Sequence, residues 1–201
     1  MRSLLISGTL LTLATTTQLL AQATSAPLPA QAATTALPAQ TAVKDPNPMV
    51  ESTRTEWQTI IGYITKSAEQ MSEANYPFKP TPAVRSFGEL IGHLADGQTI
   101  ICSAALGLAS TAAEGDIEKK VTAKAALITA LRTSTDLCTR AYAQSDAATT
   151  AMTKLFGEDR TRFAALLRNT VHDGEHYGNI VTYLRIKGMV PPSSQPQPAR
   201  Q

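Results

Sequence analysis

The chain has 201 residues, 43% of them hydrophobic and 5% aromatic, a size that supports one buried core better than two. Eighteen Lys and Arg stand against sixteen Asp and Glu, for a formal net charge of +2. The basic residues are scattered among acidic ones without forming a stripe, so nothing favours a nucleic-acid partner or a charged membrane surface.

Residues 1–23 read as a secretory signal: Arg2 supplies the positive start, Leu4 to Leu20 is mostly apolar or small, and Ala21-Gln22-Ala23 fits a small-residue cleavage site after Ala23. The reading as an uncleaved anchor is weakened by Ser7, Thr15 to Thr17 and Gln18, which interrupt the apolar run. The expected location is therefore periplasmic or secreted, with no membrane attachment after cleavage. Residues 24–47 are Ala, Thr, Pro and Gln with almost no charge, which predicts a disordered linker. Residues 191–201 repeat that composition and are expected to form a disordered tail, leaving a folded domain over 48–190.

Within that domain, Trp57, Ile60, Ile61, Ile64, Ala68 and Met71 recur at helical spacing and predict a first helix from Pro48 to about Met71. Pro77, Pro80 and Pro82 then forbid its continuation. Ser86-Phe87-Gly88-Glu89 is a capping box that opens a second helix, continued by Leu90, Ile91, Leu94, Ile101 and Ala105 to about Leu108. A small polar loop follows over 109–121. Thr122 is the expected cap of a third helix carrying Leu127, Leu131, Leu137, Cys138 and Tyr142 and fading by Ser145. The fourth and longest helix is expected from about Glu158 to Lys187, ending at Gly188 before Pro191 and Pro192. Four helices with no strand signal beyond short apolar patches predict an all-α four-helix bundle.

The chain contains three histidines. His172 and His176 are four residues apart and project from one face of the last helix, the spacing at which two imidazoles chelate one metal. His93 falls between Leu90 and Leu94 on the apolar side of the second helix and can point into the same interior. Each histidine alone is more often a hydrogen-bonded core residue than a ligand. Burying two unpaired imidazoles side by side is costly, however, and that cost favours a shared ion. His172-Asp173-Gly174-Glu175-His176 also satisfies the pattern of inverted zinc peptidases. That reading fails because only 25 residues, helix end and proline-rich tail, follow His176, which leaves no downstream helix for a further ligand.

The residues Tyr76-Pro77-Phe78-Lys79-Pro80, Arg85 to His93, His172 to Asn179 and Tyr183-Leu184-Arg185, with the Trp57 helix, resemble the DinB-like (DinB/YfiT) family of metal-dependent enzymes, in particular its exported bacterial members. The resemblance spans about residues 50–193. It implies an up-down-down-up bundle in which helices two and three run parallel, joined by a nearly extended crossover near 109–121. It also implies that His93, His172 and His176 bind one divalent metal, zinc or nickel first among the candidates. Open positions on such a metal suit a hydrolase or a transferase acting on a small-molecule substrate. The thiol-transferase branch transfers poorly, because cytoplasmic thiols are not expected outside the inner membrane. The alternatives are a non-catalytic metal-binding protein and an interaction module of the same fold, dimeric through an exposed helix face.

Around the histidines, Glu175 is the candidate base and Asn179 a candidate support for a ligand, each weighed against an ordinary solvated helix position. Asp96 is read as equally suited to a polar surface position, and Tyr177 and Tyr183 as core-edge packing. Cys102 lies 16 residues after Ser86 and Cys138 lies 16 after Thr122. On parallel helices they would stand at similar heights and could form a disulfide, the alternative being two buried free thiols. Neither is expected to ligate the metal, since Cys102 lies roughly 13 Å along the helix from His93.

Overall fold

A computed structural model describes residues 45–196. The expected leader, nearly all of the expected linker and residues 197–201 lie outside the described residues. No helix among the described residues is long and apolar enough to cross a membrane.

Helix α1 runs Pro48–Gln70, α2 Phe87–Leu106, α3 Lys124–Ala141, the short α4 Asp146–Thr149 and α5 Arg162–Ile186, with an antiparallel hairpin of β1 Met152–Leu155 and β2 Glu158–Thr161 between the last two. The four long helices have the up-down-down-up order. On α2 and α3, Gln98 meets Ser134 and Cys102 meets Cys138, so both positions advance together and the helices are parallel. On α2 and α5, His93 meets His172 while the Arg85 carbonyl, just before α2, meets Tyr183, so that pair is antiparallel. Trp57 meets Asp173 and Tyr63 meets Tyr177, which sets α1 parallel to α5.

Local chemistry explains most of the boundaries. Ser86 Oγ accepts the Glu89 amide at 3.1 Å while Glu89 Oε2 accepts the Ser86 amide at 2.6 Å, the reciprocal box expected at the start of α2. Helix α3 starts differently from the reading of Thr122 as its cap. The residue at that position is Ala123, with no side-chain capping bond. Lys124 instead turns its ammonium onto the carbonyls of Glu69 and Met71 at 2.8 and 2.7 Å, where it complements the negative C-terminal end of α1.

The expectation of helices without strands is corrected by the hairpin between α4 and α5. Its turn places Phe156 at φ +53° and Gly157 at φ +82°, the two left-handed positions of a two-residue hairpin turn. Helix α5 therefore begins at Arg162, four residues later than expected, with Thr161 Oγ1 accepting the Ala164 amide at 3.1 Å.

The crossover is not nearly extended. Asp96, 1% exposed, gathers the amides of Gly115, Ile117 and Glu118 at 3.0–3.1 Å and winds the segment into consecutive turns. The surface reading of Asp96 is thereby corrected: its carboxylate replaces water as the partner of a buried loop backbone. Gly92 lets this loop close, because a Cβ there would lie 2.7 Å from Glu118 Cα. The tail is corrected over residues 191–196. A turn at Pro192–Ser194 docks on α5, with Tyr177 Oη donating to Ser193 Oγ at 2.8 Å and accepting the Ser193 amide at 3.0 Å.

The core sits between the four long helices. Trp57 stacks on Tyr142 with centroids 4.4 Å apart, and Ile64, Ile91, Leu94, Leu131, Leu166 and Ile180 are fully buried around them. Cys102 and Cys138, both fully buried, form a disulfide between the parallel helices.

Candidate metal centre

The antiparallel pairing of α2 with α5 brings His93 against His172 and His176. Their ring centroids lie 5.1, 4.7 and 4.6 Å apart pairwise, and one ligand nitrogen from each lies within 4.8 Å of the others. His172 and His176 are each 7% exposed. Gly97, one turn beyond His93, makes room for the cluster: a Cβ at that position would lie 2.6 Å from Cε1 of His172.

His93 and His176 are each oriented by a neighbouring polar side chain. Glu118 Oε2 lies 3.0 Å from Nδ1 of His93. An ionised carboxylate only accepts, so Nδ1 carries the proton and Nε2 keeps a free lone pair. That Nε2 lies 3.2 Å from Nε2 of His172. Asn179 places its amide 3.4 Å from Nδ1 of His176, in the supporting position read from the sequence. Glu118 also holds Arg85, whose Nε donates to Oε1 at 2.9 Å, and Tyr183 donates its hydroxyl to the Arg85 carbonyl.

Asp173 follows His172 into the interior and is fully buried. Its Oδ2 accepts from Trp57 Nε1 at 3.1 Å, Gln98 Nε2 at 3.0 Å and Asn169 Nδ2 at 3.4 Å. Gln98 Oε1 in turn accepts from Ser134 Oγ at 3.1 Å, which ties the network to α3. Burial pushes the Asp173 carboxyl above the usual carboxylate range, against the nearby His172 and the hydrogen bonds of Gln98 and Trp57.

Burial also pushes His93 below the ordinary histidine value, helped by the charges of Arg85 and His172 and opposed by Glu118. His176 is pushed down to about 3, by burial first and then by His172, His93, Arg85 and Arg168. These two imidazoles stay neutral at physiological pH, the form in which imidazole is a ligand. The donor set fits a divalent ion: three nitrogens converge, the histidine tautomer at His93 is set by a carboxylate, and the site opens to a cleft of about 360 Å³. Arg85, Arg168 and Glu175 line that cleft with the histidines. Glu175 is exposed and stands at the mouth of that cleft, outside the buried cluster.

The sequence reading named the three histidines, Glu175 and Asn179, and the structure brings all five to one place. It missed Glu118, because nothing in a loop's composition shows where the loop returns. It missed Asp173 as well, although a carboxylate beside a candidate ligand was a visible signal. Trp57 was read as core only, and its indole nitrogen also anchors Asp173. Arg85 was part of the motif that carries the resemblance but was given no role, and Arg168 had no signal beyond its charge.

Residues 56–180 match the sequence pattern that defines the DinB superfamily, over a stretch that contains all three histidines. The chain belongs to the DinB superfamily. A crystal structure of a DinB-like protein from Bacillus cereus ATCC 10987 superposes with a TM-score of 0.60 at 17% identity, covering 71% of this chain and 95% of that one. At that identity the likeness concerns the DinB fold alone. No curated protein matches the chain. The resemblance read from the motifs and the all-α bundle are thus both upheld. The three-histidine group is able to hold a metal ion, and the disulfide is of a kind that persists in oxidising compartments.

Proposed function

We propose that this DinB-superfamily chain is an exported metalloenzyme that carries out hydrolysis or group transfer on a small substrate at one zinc or nickel ion held by His93, His172 and His176. The observation that carries the reading is the convergence of three imidazoles from two antiparallel helices at the floor of a solvent-reaching cleft. A closed structural site would use a fourth protein ligand, whereas three leave room for a substrate. Such an ion supplies Lewis-acid polarisation and lowers the pKa of a bound water or thiol.

The chain's own residues supply the rest. Glu118 keeps the proton of His93 on Nδ1 and so keeps Nε2 available. Glu175 at the mouth accepts a proton from the attacking group. Arg85 and Arg168 make the cleft attractive to negative charge developing on the substrate. Export rests on the leader-like residues 1–23, and the buried disulfide supports it. In that compartment hydrolysis suits the site better than transfer to a cytoplasmic thiol.

Metal analysis of protein purified without chelator or immobilised nickel tests the reading. About one equivalent is expected in the wild type and less than a tenth in the His172→Ala variant. Turnover of ester, amide and thiol-transfer substrates should depend on metal and be lost in His93→Ala and His176→Ala. A metal-loaded protein with no turnover on any of these would leave a metal-binding protein and sink the enzyme.

A further inference from the structure

We propose that the groove between the β-hairpin and α5 holds the apolar arm of a small amphiphilic carboxylate or carboxyl derivative, with its polar head at the three histidines. The proposal deepens the metal-centre reading and rests on it for the position of the head.

The groove measures about 560 Å³ and is walled by Phe156, Leu167 and Val171, with Arg168 between them. That is the size of a small-molecule site. These three large apolar side chains are 54%, 49% and 52% exposed, and they stand together rather than scattered over the surface. Leu167 and Val171 are four residues apart on α5 and share one face, immediately before His172.

Phe156 adds an independent argument. It occupies a left-handed turn position at φ +53° that Asn, Asp or Gly would take without strain. Its ring is not buried in compensation. A strained aromatic held over a cleft is a feature of ligand clamps. Phe156 and Arg168 line the histidine cleft as well as the groove, so the two spaces are neighbours that share these two side chains.

The head group follows from Arg168. Its guanidinium is exposed and makes no hydrogen bond or ion pair with the described residues, although it lines both the groove and the cleft. A carboxylate matches a guanidinium and also ligates divalent ions, so one head group satisfies both. Glu158 and Arg160 line the same groove and add polar groups beside the apolar side chains.

Titration of the full chain with zinc, then with decanoate and acetate, by calorimetry tests this. Decanoate is expected to bind at least about tenfold tighter than acetate, since several methylenes leave water. Phe156→Gly, which suits the positive φ and preserves the turn, and Val171→Asn should each weaken decanoate about five- to twentyfold while zinc binding is unchanged. Arg168→Gln should weaken both carboxylates. Decanoate binding that is indifferent to both Phe156→Gly and Val171→Asn, or no tighter than acetate, overturns the groove while zinc binding still upholds the metal centre. Decanoate bound in a Phe156-dependent way to a chain that takes up no zinc upholds the groove and overturns the metal centre.

Discussion

Nδ1 of His172 and Oδ1 of Asp173 face each other at 3.6 Å in the interior, and neither atom has a hydrogen-bond partner among the described residues. Two orphaned polar atoms this close are one small rotation from a hydrogen bond, and leaving them apart is costly. The carboxylate is ready to receive the Nδ1 proton that a metal-bound His172 would carry.

Asp173→Asn removes the charge with little change in shape. Metal affinity, measured by competition with a chromophoric chelator, should fall about 10- to 100-fold. Wild-type affinity in this variant would mean that Asp173 serves only the Trp57 and Gln98 network.

Gly97→Ala separates helix stability from the site. Alanine favours an exposed helix interior by about 1 kcal/mol over glycine, but here its Cβ would meet Cε1 of His172 at 2.6 Å. The expected outcome is a folded helix with metal affinity lowered at least about tenfold, read by circular dichroism and metal titration on the same sample.

Glu118→Gln tests the tautomer at His93. The amide has no fixed acceptor toward Nδ1 and no charge for Arg85, so both the ring and the guanidinium lose their anchor. Metal affinity is expected to fall about tenfold, and ¹⁵N shifts of His93 in the metal-free protein should show a mixture of tautomers in place of Nδ1–H alone.

The metal-free protein should lose stability on acidification. His93 and His176 have folded values below the ordinary 6.5. The unfolded chain therefore binds more protons, and the stability present above pH 6.5 drains as pH falls toward about 3 for His176. The limiting slope is about 1.4 kcal/mol per pH unit per histidine. Asp173, whose value is raised, acts in the opposite sense, since its folded form takes up a proton first as pH falls. Thermal melts between pH 7 and 4 should show a falling midpoint, with a shallower fall in His176→Gln.

Reducing the Cys102–Cys138 bridge under denaturing conditions and blocking the thiols should destabilise the refolded chain by about 3 to 4 kcal/mol. Both sulfurs are fully buried, so the native protein should resist mild reductant. Two reactive thiols in the untreated native protein would count against the bridge.

What the sequence determined by itself is the part whose physics is local. Apolar spacing set the four long helices, the Ser86 and Glu89 side chains set the start of α2, and the four-residue interval of His172 and His176 put two imidazoles on one face. The cysteine heights also followed once helices two and three were taken as parallel, as the resemblance implied. What only the tertiary structure decided depends on contacts between distant segments. Glu118 reaches His93 because Asp96 winds the crossover and Gly92 lets it close in, and neither a periodicity nor a motif encodes that path. The hairpin was missed because its strands are four residues long and its turn carries Phe156 where an asparagine would have announced it. Asp173 shows its role only when Trp57, Gln98 and Asn169 arrive from three helices to take one carboxylate oxygen and leave the other facing His172.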